Sequence, residues 1–150
     1  MKENLIYHFF TDDDFLRISE SIKDAEKTTA GEIRVAIKDD IPFFGKSDAK
    51  KLAEEEFFKL GMNNTRDNTG ILIYVNLLLR KFYVLADSGI NEKVEQIVWD
   101  NIRNEIQNEF KLGHYTEGLI YGINEVGKVL SEHFPIKPDD VNELTNKVEF

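Results

Sequence analysis

Arg66-Asp-Asn-Thr-Gly-Ile-Leu-Ile-Tyr-Val-Asn-Leu-Leu-Leu-Arg-Lys-Phe-Tyr-Val-Leu-Ala-Asp-Ser-Gly-Ile-Asn91 decides the fold. Two apolar runs, 71–75 and 82–86, are built from β-branched, aromatic and aliphatic residues, and a short linker joins them. That pattern predicts a β-hairpin buried in the middle of a sheet. Antiparallel partners keep a constant sum of residue numbers. If Asn76 faces Lys81 across the tip, Gly70 falls opposite Asp87. Two acidic segments, Asp67-Asn68 before the first strand and Asp87-Ser88 after the second, then meet at one edge of the sheet.

Upstream, Thr11-Asp12-Asp13-Asp14 reads as a helix start. Its oxygens cap free N–H groups, and its charge suits the helix dipole. Phe15, Ile18, Ile22 and Ala25 follow at helical spacing, and the segment 28–31 ends the helix. Ile33, Val35 and Ile37 alternate with Arg34, Ala36 and Lys38, which predicts a strand with one better-buried face. After a loop over 39–46, Ser47 can cap a second helix with Ala49, Leu52, Ala53, Phe57 and Leu60 as its core stripe. Gly61 is placed to end it. A strand–helix–strand crossover is right-handed and sets 33–37 parallel to 71–75, with Glu32 beside Gly70.

Downstream, Val94, Val98, Ile102, Ile106 and Phe110 predict a helix from about 91 to 110, stopped at Gly113. Thr116 is the expected cap of a fourth helix carrying Leu119, Ile123, Val126 and Leu130. Gly118 and Gly122 suit close approach to a neighbour, and Pro135 ends the helix. The expected architecture is α/β: one domain over 1–135, a three-layer α/β/α sandwich whose small mixed sheet has helices on both faces. The tail 136–150 is expected to hold a short helix or to be mobile.

At 150 residues the chain can bury a real core. Its net charge of −9 argues against nucleic acid or an anionic membrane surface as partner. Only short basic clusters, such as Lys50-Lys51 and Arg80-Lys81, interrupt the acidity, which instead suits a divalent cation. The chain has no cysteine, so thiolate nucleophiles, disulfides and cysteine zinc sites are excluded. The N-terminus lacks the apolar core of a signal peptide. No segment reaches the ~20 apolar residues of a membrane span. The expectation is therefore a cytoplasmic protein without membrane insertion.

The chemistry concentrates at the sheet edge. Glu32 opens one strand, Asp67 and Asn68 precede the second, and Asp87 closes the third. Hard oxygen ligands from several loops are what calcium, or magnesium, requires. The same residue types also make turns and cap helices. His8, His114 and His133 are far apart and form no His-Glu-x-x-His pattern, so they read as structural or surface residues. Leu77-Leu78-Leu79 is an odd hairpin tip. Either one or two of its leucines fold back onto a helix, or they form an apolar patch for a protein partner or weak self-association.

Six stretches then point to a family. They are 25–35 (Ala-Glu-Lys-Thr-Thr-Ala-Gly-Glu-Ile-Arg-Val), 67–72 (Asp-Asn-Thr-Gly-Ile-Leu), 80–90 (Arg-Lys-Phe-Tyr-Val-Leu-Ala-Asp-Ser-Gly-Ile), Trp99-Asp100, 110–119 (Phe-Lys-Leu-Gly-His-Tyr-Thr-Glu-Gly-Leu) and His133-Phe134-Pro135. Each is weak alone, but six in this order are fairly specific. The chain resembles the TPM domain family, named after a thylakoid lumen protein, a photosystem II repair protein and a worm acetylcholine-receptor modulator. The resemblance implies an α/β/α sandwich and a divalent-cation site, with calcium foremost. It also implies an acid phosphatase activity, reported for a plant member, while other members, usually with a signal peptide or membrane anchor, maintain or modulate membrane protein complexes.

The family matches at the site fall on Glu32, Asp67, Asn68 and Asp87, and also on Asp100. Asp100 would lie roughly 15 Å along a straight helix at 1.5 Å per residue, so it joins only if that helix begins later or bends back. A phosphatase would use the same carboxylates to hold a water-activating metal. Arg66 and the N–H groups at the Gly89 helix start would then contact the phosphoryl group. The catalytic residues themselves stay unassigned. A Gly-Tyr-Gly-Leu-Glu-like motif carried by many members is replaced here by Gly89-Ile90-Asn91-Glu92-Lys93, which resembles the soluble cytosolic branch of the family.

Overall fold

Thr11 caps the first long helix. A short helix, α1 (Ile6–Phe9), not foreseen from sequence, precedes α2 (Asp12–Glu26). The computed structural model describes residues 5–40, 48–65, 67–136 and 148. At the start of α2 the Thr11 hydroxyl accepts from Asp14 N–H at 3.1 Å, and the Asp14 carboxylate accepts from Thr11 N–H at 2.9 Å. This is a reciprocal capping box. Strand β1 (Glu32–Lys38) follows, and then α3 (Ala49–Lys59). The expected cap Ser47 lies outside the described residues. Asp48 occupies the N-cap position, its carboxylate accepting from Lys50 N–H at 3.1 Å.

A 3-10 turn over Met62–Asn64 leads to β2 (Gly70–Asn76) and β3 (Lys81–Ala86). Strand β1 pairs with β2 in parallel, Glu32 opposite Gly70. Strand β2 pairs antiparallel with β3, Asn76 opposite Lys81 and Ile71 opposite Ala86. Both registers are those expected. Among the described residues the sheet order is β1-β2-β3, so only the first strand of the hairpin is central. Strand β2 is buried throughout, whereas β3 is an edge strand and mostly half-buried.

The single long helix expected after the hairpin is two helices. The Asp87 carboxylate caps a one-turn helix, α4 (Ser88–Asn91). The chain then bends over 92–95, burying Val94, and Glu95 is extended where α5 (Gln96–Lys111) begins. Helix α6 spans Tyr115–His133. His114, without a side-chain cap bond, precedes it, and the expected cap Thr116 is instead buried inside its first turn.

Alternation along the strands sorts the core into two layers. Ile33, Val35, Ile37, Ile71, Ile73, Val75 and Phe82 face α2, α5 and α6. Ala36, Leu72 and Tyr74 face α3 through Ala53 and Phe57, joined by Met62. A Cβ on Gly122 would collide with the Ile106 side chain, so the absence of a side chain lets α6 close on α5. The face toward α3 is unusually polar. Glu32, Arg34 and Glu56 are buried there, and Lys38 Nζ lies 3.4 Å from Glu56 Oε1. Burial raises the Tyr74 phenol above its usual range, against the lowering effect of the hydrogen bond from Asn76.

The leucine tip has its turn chemistry in the residue before it. The fully buried Asn76 accepts from Leu79 N–H at 3.0 Å, and its amide donates to the Asp40 carbonyl and the Tyr74 hydroxyl. A side-chain bond of this kind substitutes for a backbone turn bond. Of the expected tail, Val148 is buried in the larger core, and the rest beyond Ile136 lies outside the described residues. Among the described residues, no helix is long and apolar enough to cross a membrane.

Candidate cation site

The edge at the start of β2 is assembled by backbone bonds. Glu32 N–H donates to the Thr69 carbonyl at 3.0 Å, tying β1 to the loop before β2. Asp87 N–H donates to the Gly70 carbonyl at 2.9 Å, extending the hairpin pairing by one residue. Gly89 N–H donates to the Asn68 carbonyl at 3.0 Å, so the 67–69 loop sits against the first turn of α4. Inside that loop, Thr69 N–H donates to the Thr65 hydroxyl at 3.0 Å. Asn68 has φ 56°, a left-handed conformation that asparagine tolerates better than most residues.

Gly89 is required by this close approach. A Cβ there would run into the Asp67 carbonyl oxygen and lie 2.6 Å from that of Asn68. Both obstacles are backbone, so neither can rotate away. The edge thus gathers main-chain oxygens together with the side chains foreseen from sequence.

Those side chains occupy different environments. Glu32 is buried, Asp67 and Asn68 are exposed, and Asp87 is half-buried. Asp87 Oδ1 accepts from Ser88 N–H at 2.8 Å. Its other oxygen, Oδ2, is buried and has no hydrogen-bond partner among the described residues. Asp100 accepts from Gln96 on its own helix at 3.0 Å; α5 begins later than expected, and this bond holds the carboxylate within its own first turn. Among the described residues, no three His, Asp or Glu side chains cluster closely enough to hold a metal ion. A cation at this edge would therefore combine one or two carboxylates with the Asn68 amide oxygen, backbone carbonyls and water, all hard oxygen donors of the kind calcium accepts.

Glu26 belongs to this neighbourhood and was not singled out from sequence. Its carboxylate accepts from Ile33 N–H at 2.8 Å, covering an outward-facing donor of β1. The sequence signals were its place six residues before Glu32 and its membership of the 25–35 stretch.

The remaining candidates lie elsewhere. His114 Nδ1 is 3.0 Å from Glu109 Oε2 on the exposed surface. Arg66 lies outside the described residues. At the hairpin tip Leu77 is packed into the core, Leu79 is half-buried and Leu78 is exposed, so the three-leucine surface narrows to Leu78.

The model of the TPM domain matches residues 7–129. Among solved structures, the BA42 protein from the psychrophilic bacterium Bizionia argentinensis is 39% identical at a TM-score of 0.84, with 94% of each chain covered. The N-terminal domain of a P. gingivalis protein is 20% identical at a TM-score of 0.65, covering 84% of this chain and 79% of that one. The N-terminal domain of the cg2496 protein from Corynebacterium glutamicum is 12% identical at 0.61, covering 81% and 74%. The last two likenesses concern the fold alone. No curated protein matches the chain.

Proposed function

Because the chain belongs to the TPM domain family, we propose that its acidic sheet edge binds a divalent cation, calcium before magnesium. The ordered edge would serve as an interaction surface in maintaining a protein complex. One observation carries the reading. Asp87 Oδ2 is a buried carboxylate oxygen with no hydrogen-bond donor among the described residues, and leaving such an oxygen without a partner is costly. A cation supplies the missing partner without moving the helix cap made by Oδ1. Exposed Asp67 and Asn68 would add ligands from the adjoining loop, because a cation that favours oxygen recruits carboxylates and amides alike.

The Asp87→Asn variant keeps the shape and removes the charge. Its calcium affinity, measured by calorimetry on metal-free protein, is expected to fall at least about tenfold, or roughly 1.4 kcal/mol. Equal affinity in variant and parent would remove the edge from consideration. Cation-dependent turnover of an aryl phosphate, lost in the same variant, would instead assign the edge to phosphomonoester hydrolysis.

A further inference from the structure

At the opposite end of the hairpin, a cavity of about 720 Å³ opens between β3, the C-terminal half of α5 and the start of α6. That volume lies within the range of small-molecule sites, roughly 300–1,000 Å³. Its apolar wall is a run of touching rings. Phe82 and Phe110 have centroids 5.2 Å apart, Phe110 and Tyr115 5.4 Å, and Tyr115 and Phe9 4.7 Å.

The polar lining has one sign of charge. Arg80, Lys81, Arg103 and Lys111 all line the cavity, and no carboxylate does so among the described residues. In a chain of net charge −9, this is the reverse of the average surface. None of the four cations forms an ion pair among the described residues. Arg103 rests its guanidinium over the Tyr83 ring at 5.3 Å. Arg80 stands at the hairpin tip with φ 55°, a conformation disfavoured for a residue with a Cβ. Four like charges at one mouth repel each other, and an anion relieves that repulsion.

We propose that this cavity binds a small amphipathic anion, a carboxylate or phosphate monoester on an acyl or aryl body, with its body against the ring wall and its head among the four cations. The site is separate from the acidic edge: it lies at the other end of β2, whose seven residues span about 20 Å at ~3.3 Å per residue. Neither site depends on the other.

The test is titration of the full chain with octanoate, with phenyl phosphate and with 1-octanol, read through backbone amide NMR shifts. At least one anion is expected to give saturable shifts centred on residues 80–83 and 103–115, with 1-octanol binding at least about tenfold more weakly. The anion preferred identifies the combination of head group and body. The double substitution Arg103→Gln, Lys111→Gln affects exposed side chains, so its amide spectrum should remain that of the folded protein. It should weaken the preferred anion by about tenfold or more, the scale of a lost charge-assisted hydrogen bond. Equal binding of 1-octanol, no saturation by either anion, or unchanged affinity in the double variant would each overturn the proposal.

Discussion

Gly89→Ala destabilises the protein by about 2–3 kcal/mol, in the upper part of the range for overpacking. The added methyl meets the Asp67 carbonyl oxygen and comes within 2.6 Å of the Asn68 carbonyl. Both belong to a loop tied to β1 through Glu32 N–H and Thr69 O, so the obstacle cannot swing aside as a flexible side chain would. The bond from Gly89 N–H to Asn68 O lengthens or breaks, and the loop lifts from α4. For a chain of this size the midpoint of thermal unfolding falls by roughly 5–10 °C. Amide shifts at 67–69 change together, whereas Ser88→Ala, at an exposed neighbour, changes little. If the edge holds a cation, Gly89→Ala weakens that binding too, although no ligating side chain has been altered. Wild-type stability in Gly89→Ala would mean that the loop is not seated on the helix.

The second large effect lies under α3. Glu56 is 7% exposed, and its Oε2 has no hydrogen-bond partner among the described residues. Lys38, at 3.4 Å from Oε1, provides its positive counterpart. Breaking a buried pair by removing one partner costs about 3–5 kcal/mol, because a buried charge is left uncompensated. The Lys38 side chain is 21% exposed, so water softens that penalty, and Lys38→Met is expected to cost about 2–3 kcal/mol. Replacing both groups, as Lys38→Met with Glu56→Leu, removes the orphaned charge and should return stability to within about 1 kcal/mol of the parent. Denaturant unfolding of the three variants decides the matter. Equal losses in the single and double variants would locate the effect in packing rather than charge.

These two predictions mark where sequence reading succeeded and where it stopped. The registers of β1, β2 and β3 were legible because pairing is arithmetic once the tip is located, and the alternating apolar residues admit one choice of buried face. The meeting of Glu32, Gly70 and Asp87 followed directly. The break between α4 and α5 was not legible. Val94 and Val98 are spaced as in one continuous helix, and nothing between 92 and 95 is a glycine or proline. What divides them is tertiary: Asp87 caps the first turn, and the chain must bend to bury Val94.

The buried polar layer was hidden for a related reason. Glu56 sits in a run of three glutamates, Glu54-Glu55-Glu56, which reads as a solvated helix face until its orientation against Lys38 is known. At the leucine tip, composition left two readings open, one or two leucines folded back or an exposed patch. The turn chemistry supplied by Asn76 allows Leu77 to enter the core and leaves Leu78 outside. The ring-lined cavity joins residues from four distant segments, and such long-range convergence leaves no local pattern. At the acidic edge the residue types were legible, but their separation was not. Asp100 bonds within its own helix, and the remaining carboxylates do not form a tight cluster among the described residues.

The central claim, that the edge joining Glu32, the 67–69 loop and Asp87 holds a divalent cation, is tested most directly by calcium titration of metal-free protein. Backbone amide NMR shifts follow each residue, with magnesium as the comparison. The account predicts saturable shifts centred on Glu32, Asp67, Asn68 and Asp87, stronger for calcium. No response at any of these residues up to millimolar calcium would contradict it and leave them as the turn and cap formers of the hairpin edge.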